Sequence, residues 1–114
     1  MKMTDEQKQR LEAKSTVGRT VTFKSKGISS DRKVGKIVDE VALIVRHHKH
    51  LIQQILFADG VSWDGSAHGY RTGYYTYSNG MNKIVWGQST QFLTGTEYRV
   101  LLTKAKAKGW DLFQ

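Results

Sequence analysis

Residues His68 to Gln88 read HGYRTGYYTYSNGMNKIVWGQ, two runs of alternating character joined by Ser78-Asn79-Gly80-Met81. Asn-Gly between alternating apolar runs is a strong hairpin signal, because the turn that joins two strands tightly needs positive φ at both central residues. In the first run Tyr70, Thr72, Tyr74 and Thr76 fall on one face, and Arg71, Gly73, Tyr75 and Tyr77 on the other. In the second, Ile84 and Trp86 oppose Lys83, Val85 and Gly87. Gly73, flanked by bulky neighbours, predicts either room for a large side chain on the paired strand or a bulge.

Upstream of this ribbon the same period recurs. Arg19 to Ser25 (RTVTFKS) alternates as a half-buried strand, with Val21 and Phe23 on one face. Lys26 to Lys33 is a polar loop. Val34 to Arg46 is rich in β-branched residues but interrupted at Asp39-Glu40, which predicts two strand segments separated by a bulge or a sharp bend. Arg46 to His50 (RHHKH) reads as a basic connection. Leu51 to Ala58 reads as another strand ending at Asp59-Gly60, with a short helix as the competing assignment, since periodicity alone does not separate the two in so short an apolar run. Val61 to Ala67 is then a loop carrying Trp63.

Helices flank the strands. Thr4 with Gln7, and Thr94 with Glu97, are spaced as capping boxes, in which side chains satisfy amides that the first turn leaves free. The first helix, Thr4 to Ser15, has a poor apolar stripe (Leu11 and Ala13) and is expected to pack loosely. The second carries Tyr98, Leu101, Leu102 and Ala105 at helical spacing, lysines toward its end, and Gly109-Trp110 as a left-handed stop. Helix, about five strands without intervening helices, and helix again predict an α+β fold. Its centre is a small antiparallel SH3-like or OB-like barrel or curled sheet. The expected organisation is a single domain over 1–114: N-terminal helix 1–15, sheet 19–90, C-terminal helix 95–109.

A net charge of +8 predicts attraction to polyanions. The charge is uneven: residues 19–58 hold eight Lys/Arg against three Asp/Glu, whereas 59–94 hold two against two. The absence of cysteine rules out a disulfide framework and agrees with a reducing cytoplasm, where the chain is expected to reside. The polar start lacks the apolar core of a secretion signal, and the longest apolar run, Val41 to Val45, is too short to span a bilayer. No membrane association is expected.

Catalytic signatures are sparse. Asp39 and Glu40 point to opposite faces if extended, Asp59 and Asp64 each precede a turn glycine, and no nucleophile elbow or phosphate loop occurs. Whether the chain is an enzyme is left open by the residues. A site could assemble from Asp59 or Asp64 with His68 and Arg71 if a deep pocket gathered them. Of His47, His48 and His50, the last two point the same way on an extended backbone, but two histidines without further ligands do not make a zinc site. No metal and no cofactor is expected.

The basic surface carries the principal reading. Lys24, Lys26, Arg32, Lys33 and Lys36 flank one loop, and Arg46 and Lys49 flank another. Loops at one end of a barrel could track a phosphate backbone, with Trp63, Tyr75 and Tyr77 as stacking platforms for bases. The expected function is a non-enzymatic module that binds nucleic acid. The alternative is a protein-interaction or small-ligand module with an aromatic cleft of Tyr70, Tyr74 and Trp86, in which an exposed aromatic face could also be a homodimer seam.

The run Tyr70-Arg71-Thr72-Gly73-Tyr74-Tyr75-Thr76, then Trp86-Gly87-Gln88, then a helix closing at Lys108-Gly109-Trp110, resembles small uncharacterised bacterial proteins carried by phages and integron cassettes. The resemblance spans the last third to half of the chain. It implies a mobile-element context, with the chain as an accessory factor, and carries no residue role.

Overall fold

The computed structural model describes residues 3–24, 32–60, 64–78, 83–87 and 91–113, with the backbone alone of 23, 24, 32 and 33. Helix α1 (Asp5–Ala13) precedes strands β1 (Thr20–Lys24), β2 (Arg32–Val45), β3 (His48–Phe57), β4 (His68–Tyr77) and β5 (Ile84–Gly87). Helix α2 (Gly95–Ala107) and a 3-10 turn, Asp111–Phe113, follow. The five strands form one antiparallel meander in the order β1-β2-β3-β4-β5, curled into a half-barrel. Among the described residues no helix is long and apolar enough to cross a membrane.

The tyrosine ribbon pairs as its alternation predicts, Tyr74 with Gly87 through Tyr77 with Ile84. Residues 79–82, the centre of the expected Asn-Gly turn, lie outside the described residues. Gly73 leaves room for a large neighbour: a Cβ there would overlap the Trp86 indole. Gly87 does the same for the Tyr74 ring on the opposite face. Each glycine thus seats an aromatic from the paired strand, one on each side of the sheet.

The β2 interruption is a bulge. Register slips between Ile37 and Asp39, and the strand continues unbroken to Val45. The basic connection is shorter than RHHKH suggests. Val45 pairs with His48, so two residues, Arg46 and His47, make the turn, at φ 48° and 66°. This is the positive-φ geometry of a tight hairpin, achieved without glycine. His48, Lys49 and His50 therefore belong to β3, which is a strand and not a helix.

Both capping boxes form. Gln7 N donates to Thr4 Oγ1 (3.1 Å) while Thr4 N donates to Gln7 Oε1 (2.8 Å), and the Thr94–Glu97 pair repeats the pattern. Gly109 stops α2 at φ 74°. Helix α2 lies on the face of even-numbered β3 residues, where Val41, Ile52, Leu101, Ala105 and Trp110 make a buried cluster. Of the expected α2 stripe only Leu101 and Ala105 are buried, while Tyr98 and Leu102 stay exposed at its flank. Helix α1 sits on the opposite face, where Leu11 packs with Leu51, Tyr75 and Tyr77; Ala13 remains exposed. Two polar side chains add to that leucine: Tyr77 Oη donates to Gln7 O (2.6 Å), and Lys49 Nζ donates to Glu12 O (2.7 Å) and Lys14 O. A lysine at the carbonyl end of a helix is favoured by the helix dipole.

Candidate anion-binding site

The strands at the two edges of the sheet line one cavity. Thr16 and Arg19 from the α1–β1 connection, Val21 of β1, Gln53 of β3, Arg71 of β4 and Trp86 of β5 surround about 190 Å³. This is the concave side of the half-barrel. The alternation of β4 that buries Tyr75 and Tyr77 also turns Arg71 inward.

An inward charge needs partners. Arg71 Nε donates to Gln53 Oε1 (2.8 Å), Gln53 Nε2 donates to Thr16 Oγ1 (3.0 Å), and Thr16 Oγ1 donates to Glu40 Oε1 (2.8 Å). Glu40 also accepts from Thr16 N (2.7 Å) and Ser15 Oγ (3.0 Å). Every bond in this chain runs from guanidinium toward carboxylate, so each polarises the next in the same sense. Gln53 is fully buried and both ends of its amide are satisfied.

The chain orients Arg71 by Nε. Among the described residues nothing is hydrogen-bonded to its terminal nitrogens, and neither Arg71 nor Arg19 makes an ion pair. The guanidinium lies over the Trp86 ring, 5.5 Å from its centroid, and Trp86 meets Tyr75 edge-on at 5.1 Å. Burial lowers the Arg71 pKa, opposed by the nearby Tyr75 hydroxyl. Among the described residues the buried Tyr75 hydroxyl has no hydrogen-bond partner. Burial raises its pKa, with Arg19 and Arg71 pulling it down and Glu40 pushing it up. Lys14 Nζ stands 5.8 Å from the same ring. Two arginines and the Tyr75 ring thus line one concavity, and the guanidinium groups are donors suited to an anion.

The expected nucleic-acid residues do not form this group. Lys49 (5% exposed), Tyr75 (2%) and Tyr77 (8%) are buried. The expectation that they face a ligand at the surface is corrected: all three fall on inward positions under α1, where Lys49 and Tyr77 hold the helix. Arg46 is exposed but grips Glu97 with both terminal nitrogens at 2.6 Å and Phe92 O at 3.4 Å. Lys36 is exposed. Lys24, Arg32 and Lys33 are described only by backbone, and Lys26 and Trp63 lie outside the described residues.

The expected cleft of Tyr70, Tyr74 and Trp86 is also corrected. Tyr70 and Tyr74 sit on the α2 face and Trp86 on the concave face, because the register sets Tyr75, not Tyr74, opposite Trp86. Tyr70 packs on Trp110, and its hydroxyl donates to Asp111. Tyr74 stacks beside His48 and His50, with ring centroids 5.1 and 5.8 Å away. His68 bonds Asp111 (3.0 Å) on that face, away from Arg71, so the conditional catalytic grouping does not assemble. Among the described residues no three His, Asp or Glu side chains are placed to hold a metal ion.

The reading of sequence missed Arg19, Thr16 and Gln53. It placed Arg71 on the face of Tyr75 and Tyr77, and a charge at an inward strand position was the available signal.

No protein family, curated protein or solved structure matches this chain.

Proposed function

We propose that this protein is a binding module whose site is the concave side of the half-barrel, where the anionic group of a small ligand sits between Arg19 and Arg71. The observation that carries this reading is a cavity lined by Arg19, Arg71 and Tyr75, in which no carboxylate among the described residues is paired to either arginine. Planar forks of N–H donors match carboxylate or phosphate oxygens, and Gln53 pre-orients one fork. At about 190 Å³ the cavity suits a carboxylate or phosphate group with few attached atoms, and is below the usual size of a drug-like site.

Titration with acetate, benzoate and inorganic phosphate, followed by NMR at the Arg71 Nε–H and Trp86 indole N–H, tests this. At least one anion is expected to give saturable shifts that Arg71→Met abolishes. Absence of shifts up to about 10 mM, or shifts that survive Arg71→Met, would overturn it.

A second reading, nucleic-acid binding, is supported by the net charge of +8 and the exposed Lys36. Its signature is binding to single- or double-stranded DNA or RNA that collapses between roughly 50 and 200 mM salt. No retention even at low salt would discard it.

A further inference from the structure

Among the described residues the longest strand, β2, is only half covered on its outer side. β1 pairs with it from Arg32 to Lys36, and the last backbone bonds are Ile37 N to Arg19 O (2.9 Å) and Gly18 N to Ile37 O (2.8 Å). Beyond the bulge, residues 39–45 pair with β3 on one side only. Because Val45 and His48 close a two-residue turn, the odd positions of this segment direct their amides and carbonyls to β3. Glu40, Ala42 and Ile44 direct theirs outward. Among the described residues the outward partners are few: Glu40 N is taken by Asp39 Oδ1 (2.8 Å), and Ala42 O accepts from Lys104 Nζ (2.9 Å).

This bare edge borders a groove of about 380 Å³ between the two helices, lined by Lys8, Glu12, Ala42, Ile44, Lys49 and Lys104. Its floor is apolar and half-buried, and its walls carry three lysines against one glutamate. Lys49 is committed to α1 carbonyls, which leaves Lys8 and Lys104 as the cations of the rim.

We infer that residues 39–45 of β2 accept an added strand from a partner protein, an extended segment with acidic side chains. Backbone bonds to Ala42 and Ile44 would set its register, and Lys104 Nζ, displaced from Ala42 O, would read its charge beside Lys8. Self-pairing of two copies through this edge is disfavoured, since it would oppose the same lysines. The bulge and Lys104 are also the devices that keep an exposed edge from aggregating, and a lysine in that role guards against basic and neutral strands more than acidic ones.

A fluorescein-labelled heptapeptide alternating Glu and Val, and a copy N-methylated on alternate amides, test the inference by anisotropy. The unmodified peptide is expected to bind, more weakly as salt rises, and the N-methylated one not to bind. Ala42→Pro removes an outward N–H without breaking a bond to β3 and should abolish binding with the circular dichroism unchanged. Should that variant misfold, K8E/K104E decides, with an expected loss of at least about tenfold. Arg71→Met should leave peptide binding intact, which separates this edge from the concave site. Equal binding of the N-methylated peptide, undiminished binding to K8E/K104E, or none at about 1 mM would overturn it.

Discussion

Under α2, Val41, Ile52, Leu101, Ala105 and Trp110 close on one another, with the Trp110 indole N–H donating to Asp39 at the margin. On the concave face at comparable depth lie Gln53, Thr16 and the half-buried Arg71, tied in series to Glu40. Both sets hang on the same strands, one residue apart. Burying apolar side chains stabilises by removing their surface from water, whereas a buried polar chain roughly recovers its desolvation cost and adds little. The difference teaches that one face of a small sheet can do two things: beside its own buried Leu11, Ile37, Leu51 and Ile55, the concave face fixes a row of polar groups in series.

Breaking the apolar side should cost most. Leu101→Ala, at a fully buried position, is expected to destabilise by about 3 kcal/mol in urea unfolding, through lost burial and an unfilled cavity. A loss below about 1 kcal/mol would show that α2 contributes little to this core.

Acid should act next, and through the α2 face. His50 is 1% exposed, accepts from Gln91 Nε2 at Nδ1 (3.0 Å), and has its pKa lowered to about 4 by burial, with smaller contributions from His48 and Arg46 opposed by Glu97. The unfolded chain therefore takes up this proton below about pH 6.5, and the folded chain does so only near pH 4. Stability is whole above the ordinary histidine value and falls as pH drops to about 4, by on the order of 3 kcal/mol. His50→Phe should flatten this limb in a series of denaturation midpoints. A further, smaller acid limb belongs to Glu97, held down to about 2 chiefly by the Arg46 fork and the Thr94 amide. Its contribution is present above pH 4.5 and lost as pH falls through about 2. In Glu97→Gln this lower limb should vanish while the His50 limb stays.

The smallest expected effect sharpens the contrast. Arg71→Met relieves a buried charge and forfeits the bond to Gln53, so stability should change by no more than about 1 kcal/mol in either direction. Loss of several kcal/mol in equilibrium unfolding would make Arg71 a structural residue and remove the distinction between the two faces.

Features written over a few adjacent residues were legible before any coordinates: both capping boxes, the Gly109 stop, the alternation of β4 and the break near Asp39. The turn at Arg46-His47 was not legible, because neither residue favours positive φ and its guanidinium is anchored by Glu97, 51 positions along the chain. The site followed the same division. Sequence alone put Arg71 on the Tyr75 face, since strand geometry has a period of two. Only the tertiary structure decided that Lys49 is spent on the end of α1 and that Trp86 faces away from Tyr70 and Tyr74. It alone also decided that Arg19 lines the same cavity as Arg71. Burial and hydrogen-bond partners depend on what the curled sheet brings across from distant positions, and no local pattern encodes that.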